Sequence, residues 1–164
     1  MGHNLRAIIG KPPVMEAMAQ HYRAVVRVRL SQGFEMVPVG DRLHDELELA
    51  PDASNPEAAV NGFSFLGGTA ERVLARLSEV SPIAYVYTEY FGGVGEQAGV
   101  AFVRGEAVTR GGGRGRVLPW SSSIGPINEA LAAIGVVREG SHDEFDAVGL
   151  RHYRQTDDWV VDDL

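Results

Sequence analysis

The sequence predicts an α+β fold in which three to four helices pack on a mixed or antiparallel sheet. Residues 83–91 are rich in β-branched and aromatic side chains and form the strongest predicted strand. Two further strands, over 99–103 and 107–109 with a tight turn near Gly105, would complete an antiparallel meander. Apolar residues at helical spacing, most regular over 70–80, indicate helices that bury one face.

The first half of the chain is predicted to contain short strands and short helices. A strand over 5–9 is followed by a helix over 14–22, which Pro12 and Pro13 open because proline suits the first turn of a helix. Asp41 can cap the next helix through its side-chain oxygen. Further strands are predicted over 25–30, 34–39 and 62–66, and a loop over 51–61. Further helices are predicted over 41–49 and 124–134, and a short turn or helix over 143–148.

Side chains along the long predicted strand should alternate between the two faces of the sheet. Val86 and its neighbour Tyr85 are therefore expected on opposite faces. Leu77 belongs to the apolar stripe of the preceding helix and is expected to be buried against the sheet, with Val86 as its contact.

Length and composition limit the class of protein. A chain of 164 residues fits a single domain over 1–164, and 45% hydrophobic with 23% charged residues is ordinary for a protein with a core. No apolar run approaches the roughly 20 residues of a membrane span, and the N-terminal residues lack a secretory pattern. Because the chain has no cysteine, disulfides and thiolate metal sites are excluded. We expect a cytoplasmic protein.

The charge of the chain bears on its partners. A net charge of -7 opposes binding to nucleic acid or to an anionic membrane and favours either a basic protein partner or simple solubility. Arginines 110, 114 and 116 are the exception, since they stand among glycines in the segment 110–117. The low complexity of that segment predicts a mobile glycine–arginine loop.

A glycine-rich segment over 88–97 is the most unusual in the chain. It joins the end of the strongest strand to carboxylates, aromatics and glycines, and its candidate binding residues are Glu89, Tyr90, Gly92, Gly93 and Glu96. The spacing of its glycines matches a dinucleotide fingerprint, but a strand follows where that fingerprint needs a helix, and Glu96 would repel a pyrophosphate. We therefore expect no cofactor. The competing interpretation is a hairpin loop whose glycines serve geometry alone.

The C-terminal segment from residue 139 is strongly acidic. It contains eight acidic residues and two arginines, Arg151 and Arg154, and large apolar groups interrupt the acids. Asp143, Glu144 and Trp159 are its candidate binding residues. Because aromatics favour burial, we expect this tail to dock on the domain. It is predicted to fold back beside the loop over 88–97, with an arginine close to Glu89 or Glu96.

The sequence contains no motif typical of a metal site or of a serine nucleophile. None of the five histidines stands in a pattern typical of metal ligands, so no metal site is predicted. Serines 121 to 123 lack the Gly-x-Ser-x-Gly elbow of a serine nucleophile.

Three segments occur in an order that resembles a set of small bacterial cytoplasmic proteins of unassigned function. They read Thr-Glu-Tyr-Phe-Gly-Gly-Val-Gly-Glu-Gln over 88–97, Gly-Pro-Ile-Asn-Glu-Ala-Leu over 125–131, and Asp-Glu-Phe-Asp over 143–146 with Gly149, Leu150 and Thr-Asp-Asp-Trp over 156–159. The resemblance implies a bacterial cytoplasmic protein in which the glycine loop and the acidic tail belong to one design. It supplies no catalytic residues.

Two functions remain open from the sequence. The favoured one is a non-enzymatic binding protein with an acidic interaction surface, in its most concrete form an immunity-type protein that neutralises a toxin. The alternative is a small-ligand binder or hydrolase-like enzyme that uses the carboxylates near 88–97, because a carboxylate at a strand end can serve as a general base. A deep pocket around these groups would favour the alternative, and a flat acidic face would favour the binding protein.

Overall fold

The computed structural model describes residues 3–48, 68–91, 94–116, 125–153 and 155–161, and it has the predicted α+β fold. Its strands are β1 (His3–Gly10), β2 (Val28–Arg29), β3 (Glu35–Pro38), β4 (Ile83–Phe91), β5 (Val94–Val103) and β6 (Glu106–Arg116). Its helices are α1 (Pro12–His21), α2 (Asp41–Glu48), α3 (Gly68–Leu77), α4 (Pro126–Ala133), α5 (Glu144–Val148) and α6 (Asp158–Val161), with a short 3-10 turn over Ser31–Gly33. No helix in these ranges is long and apolar enough to cross a membrane.

The strands form one antiparallel sheet. In the described part of the chain it has six strands in the order β2-β3-β1-β4-β5-β6. β4 has the predicted bounds, and β4, β5 and β6 form the predicted meander. Arg104 and Gly105, with φ of 52° and 85°, supply the two left-handed residues that a tight hairpin turn needs. The strand predicted over 25–30 is reduced to β2, and the elements predicted over 51–61 and 62–66 lie outside the described residues.

Helices cover both faces of the sheet. The first face carries α1, α2 and α3, and its buried cluster includes Tyr85 and Tyr87. The second face carries α4, α5 and α6, and its buried cluster includes Val86 and Trp159. The predicted separation of Tyr85 from Val86 is therefore confirmed, because strand side chains alternate between faces.

The predicted contact between Leu77 and Val86 is wrong. Leu77 packs partly buried against the first face, whereas Val86 lies in the cluster of the second face. The stripe of α3 that reaches the sheet is centred on Ala70 and Leu74, which are 1% and 0% exposed and stand four residues apart. Leu77 is the last residue of α3 and is only partly buried.

The prediction of a loop over 110–117 is wrong for residues 110–116, and residue 117 lies outside the described residues. Residues up to Arg116 continue β6, and Arg116 pairs in register with Val94 on β5. Low complexity suggested a loop, but the hydrogen bonds of the neighbouring strand hold these glycines in extended backbone despite the entropic cost of glycine in a strand. Arg110 has a local role in this strand, since its guanidinium pairs with the carboxylate of Glu71 on α3.

Candidate functional site

Glu89 and Glu96 face each other across the β4–β5 hairpin. The two residues are register partners in an antiparallel pair, where opposed Cβ atoms lie about 4.5–5.5 Å apart. The sequence placed Glu96 in a glycine-rich loop, but β5 already begins at Val94. Both residues therefore lie on paired strands, which fix the positions of their Cβ atoms relative to each other.

Tyr87 holds one of these carboxylates. Its hydroxyl donates a hydrogen bond of 2.5 Å to Oε2 of Glu89, two residues further along the same face of β4. Burial raises the pKa of Tyr87, and the hydrogen bond to Glu89 and the charges of Glu89 and Glu96 raise it further. The hydroxyl consequently stays protonated near neutral pH and acts as a donor that fixes Glu89.

Tyr85 lies on the same face of β4 and is 1% exposed. Within the described residues its hydroxyl has no hydrogen-bond partner. Burial raises the pKa of Tyr85, the nearby charge of Arg6 lowers it, and that of Glu48 raises it. The neighbouring Tyr85 also raises the pKa of Tyr87, so the two hydroxyls belong to one electrostatic environment. We name Tyr85, Tyr87, Glu89 and Glu96 the tyrosine–carboxylate cluster.

The strands beside the cluster bring further charges to this face. The register runs from Asn4 on β1 through Glu89 and Glu96 to Arg114 on β6. Arg6, which is the β1 partner of Tyr87, reaches α2 through a 3.4 Å contact from Nη2 to Oδ1 of Asp41. The cluster therefore has the basic side chain of Arg6 beside it on β1 rather than lying in a purely acidic patch.

The other candidates from the 88–97 segment are placed less directly. Tyr90 pairs in register with His3 on β1 and with Gly95 on β5. Gly92 and Gly93 lie outside the described residues.

Asp143 and Glu144 have structural roles on the other face of the sheet. Asp143 precedes α5, and its Oδ1 accepts a 2.8 Å hydrogen bond from the backbone N–H of Asp146. Glu144 accepts a 3.1 Å hydrogen bond from Nε of Arg138. Capping of α5 and a local ion pair therefore explain why acidic side chains stand at these two positions. These contacts favour a role in forming α5.

Trp159 is buried in the cluster of the second face and is 4% exposed. The rings of Tyr153 and Trp159 meet edge-on with centroids 5.0 Å apart, a favourable aromatic geometry. Leu150 is buried in the same cluster. The acidic tail does dock through its apolar groups, but it does so on the face away from the tyrosine–carboxylate cluster.

Of the two tail arginines, Arg151 pairs within its own segment and not in the predicted composite site of tail and loop. Arg151 lies 3.8 Å from Asp143 and 3.7 Å from Asp146, within its own segment of the chain. Arg154 lies outside the described residues. Charge complementarity alone suggested a pairing with Glu89 or Glu96, but burial of the tail aromatics selects the second face.

The tail instead completes the edge of β1. The backbone N–H of Thr156 donates to the carbonyl of Asn4 at 2.9 Å, and the N–H of Arg6 donates to Oγ1 of Thr156 at 3.1 Å. β3 ends at Pro38, opposite Ala7, so this stretch of β1 lacks β3 as a neighbour. Thr156 supplies the missing hydrogen-bond partners there.

Sequence reasoning missed the tyrosines as functional candidates. The candidate residues chosen from the sequence did not include Tyr85 or Tyr87, which alternate with apolar residues in the strongest strand. The same alternation contains the signal, since Tyr85, Tyr87 and Glu89 stand two residues apart and must share a face. Arg6 and Glu48 carried no such local signal, because their proximity depends on strand pairing and helix packing.

The described part of the chain contains no group of three or more histidine, aspartate or glutamate side chains placed to hold a metal ion. Comparison of the chain with protein-family models, with curated proteins and with solved structures gave no match.

Proposed function

We propose that this chain is a non-enzymatic protein that binds a basic protein partner, with Glu89 and Glu96 at the centre of the contact. A bacterial immunity-type protein that neutralises a toxin is the concrete form of this proposal. The observation that carries it is the direct opposition of the two carboxylates on neighbouring strands. Like charges in directly opposed positions destabilise a sheet, and a cation bound between them removes that cost.

The local chemistry favours binding over proton transfer. Glu89 is exposed and Glu96 half-buried, so a partner has access to the pair. The Tyr87 hydroxyl is a donor whose raised pKa keeps its proton in place, and it orients Glu89. An oriented carboxylate loses little conformational entropy when a partner binds, which raises affinity.

The charge of the whole chain supports the same function. A net charge of -7 attracts a basic partner over long range, and this attraction accelerates association. Added salt screens the attraction, because the Debye length falls from about 10 Å at 0.1 M to about 3 Å at 1 M. The predicted association is therefore faster at low salt than at high salt.

The experiment is capture of partners on the immobilised protein from a bacterial lysate, at about 50 mM and about 500 mM salt. The variant E89Q/E96Q removes both charges of the pair. The matched control E106Q/E139Q removes two charges from exposed positions on β6 and in the loop before α5.

We expect the unmodified chain and E106Q/E139Q to retain a basic protein that E89Q/E96Q fails to retain. Each captured protein is identified by mass spectrometry, and its association rate is then measured with purified components. Equal capture by E89Q/E96Q, or an association rate that does not respond to salt, contradicts the proposed function.

A further inference from the structure

We propose that residues 155–161 form a releasable strap, which opens as one unit while the sheet stays intact and so uncovers the outer edge of β1. The strap is independent of Glu89 and Glu96, because its buried tryptophan lies in the cluster of the second face. Three features carry the inference: the bonding of the strap to β1, its two buried anchors, and the pairing of β1 with β4.

Thr156 bonds the strap to β1, largely through its side chain. Its hydroxyl accepts from the N–H of Arg6 at 3.1 Å and donates to the carbonyl of Asn4 at 3.2 Å, and its backbone N–H donates to the same carbonyl at 2.9 Å. The strand-like pairing here is an isolated parallel bridge between Asn4 and Gln155. A ladder spreads its hydrogen bonds along both strands, whereas these bonds centre on one residue and can break together.

Thr156 and Trp159 anchor the strap. They are 7% and 4% exposed, whereas Gln155, Asp157 and Asp158 are exposed. The backbone N–H of Trp159 donates to the carbonyl of Thr156 at 3.3 Å, so a single turn of the chain joins the two anchors. α6 has four residues, and a helix this short is not stable in water without its packing. Loss of one anchor therefore releases the other, and the strap opens cooperatively.

The pairing of β1 with β4 does not depend on the strap. The two strands are in register along the whole length of β1. The N–H of Leu5 donates to Oγ1 of Thr88 on β4 at 3.3 Å, whereas the N–H of the next residue, Arg6, donates to the strap on the other side. Opening of the strap therefore removes Thr156 as a partner of Arg6 and Asn4 and leaves β1 within the sheet.

Opening of the strap requires less free energy than opening of the sheet. It breaks the bonds of Thr156 and exposes Trp159, whereas opening of β4 breaks its pairing with both β1 and β5. Regions with few buried apolar contacts open at lower free energy than core strands do. The strap is therefore expected to open in molecules whose sheet is still folded.

The test is native-state hydrogen exchange of the full chain, followed by NMR at urea concentrations below the unfolding transition. The amide of Arg6 reports the strap, and the amide of Val86, on a strand paired on both sides, reports the sheet. After correction for intrinsic rates, we expect Arg6 to exchange about tenfold or more faster than Val86. Its exchange should also respond less steeply to urea, because the strap exposes less surface when it opens. Equal protection and equal urea dependence of the two amides would overturn the strap.

Two variants show whether the opening belongs to the strap. Trp159→Ala removes contacts that exist in the closed strap and not in the open one, so exchange at Arg6 should rise about tenfold or more. Leu77→Ala is the matched control, because Leu77 packs on the first face and keeps its contacts when the strap opens. L77A should accelerate exchange at Val86 and leave exchange at Arg6 unchanged.

Two outcomes with these variants contradict the strap. Unchanged exchange at Arg6 in W159A would show that Arg6 opens through its own hydrogen bond, without release of the tryptophan anchor. Equal acceleration at Arg6 and Val86 in L77A would show that the segment opens only together with the sheet.

Discussion

Gly99 and Gly111 face each other across β5 and β6, and Pro126 lies on both of them. A methyl group on Gly99 would lie 2.8 Å from the carbonyl carbon of Pro126 and closer still to its oxygen. A methyl group on Gly111 would lie 3.0 Å from the side-chain Cβ of Pro126. The pair of glycines therefore lets the start of α4 approach the sheet more closely than any other residues would allow.

The first prediction concerns this approach. Gly99→Ala places a methyl group against backbone that cannot rotate away, so it should destabilise the protein by about 1–3 kcal/mol or more. Gly111→Ala meets a side-chain atom and should cost less. Gly40→Ala is the control, because a Cβ there meets nothing within 4 Å. Urea denaturation measures all three, and equal midpoints for G99A and G40A would contradict the close packing of α4.

The second prediction concerns the core under α3. Leu74 is fully buried, so Leu74→Ala should cost about 2–5 kcal/mol of unfolding free energy. Leu77 is only partly buried, and Leu77→Ala should cost less than L74A does. Denaturation midpoints of the two variants give the comparison directly. A larger loss in L77A than in L74A would show that the buried stripe of α3 is assigned incorrectly.

The third prediction concerns the contact between the tail and β1. Thr156→Val keeps the size of the side chain but removes the hydroxyl that accepts from Arg6 and donates to the carbonyl of Asn4. We expect a loss of about 1–3 kcal/mol, because the N–H of Arg6 loses its acceptor. Thr156→Ser retains the hydroxyl and should lose less. Faster hydrogen exchange at the amide of Arg6 in T156V, with little change in T156S, is the specific signature.

The fourth prediction concerns stability at high pH. Burial is the main cause that raises the pKa of both Tyr85 and Tyr87 above the ordinary value of 10.0. The folded state therefore holds these protons more tightly than the unfolded chain does. Their contribution to stability is complete below pH 10 and is lost as the pH rises above it.

The urea midpoint of the unmodified protein should accordingly fall between pH 9 and pH 11. The variant Y87F has no proton to lose at this position, so its midpoint should fall less over the same interval. Identical pH dependence in the two proteins would contradict the raised pKa of Tyr87.

Local sequence information was sufficient for several elements of the fold. The bounds of β4 follow from its run of β-branched and aromatic residues, and the turn at Gly105 follows from a glycine between two extended runs. The alternation of side chains along β4 correctly predicted that Tyr85 and Val86 lie on opposite faces of the sheet. In each case the signal lies within a few residues of the structure that it predicts.

The errors arose where a partner distant in sequence decides the outcome. Residues 110–116 form a strand because β5 lies beside them, although their composition is typical of a loop. The tail docks where Trp159 can be buried, and Arg151 pairs there with Asp143 and Asp146 rather than with Glu89 or Glu96. The candidate site was predicted in part, since Glu89 and Glu96 were identified while Tyr85 and Tyr87 were not.

The hydrogen bond between Thr156 and Asn4 joins positions that are 152 residues apart, and this separation affects the order of synthesis. A ribosome adds about 5–20 residues per second, so β1 waits about 8–30 s before Thr156 has been made. During that interval the stretch of β1 beyond β3 offers unpaired backbone groups to other chains. This stretch of β1 is therefore completed only after a segment 152 residues further along the chain has been made.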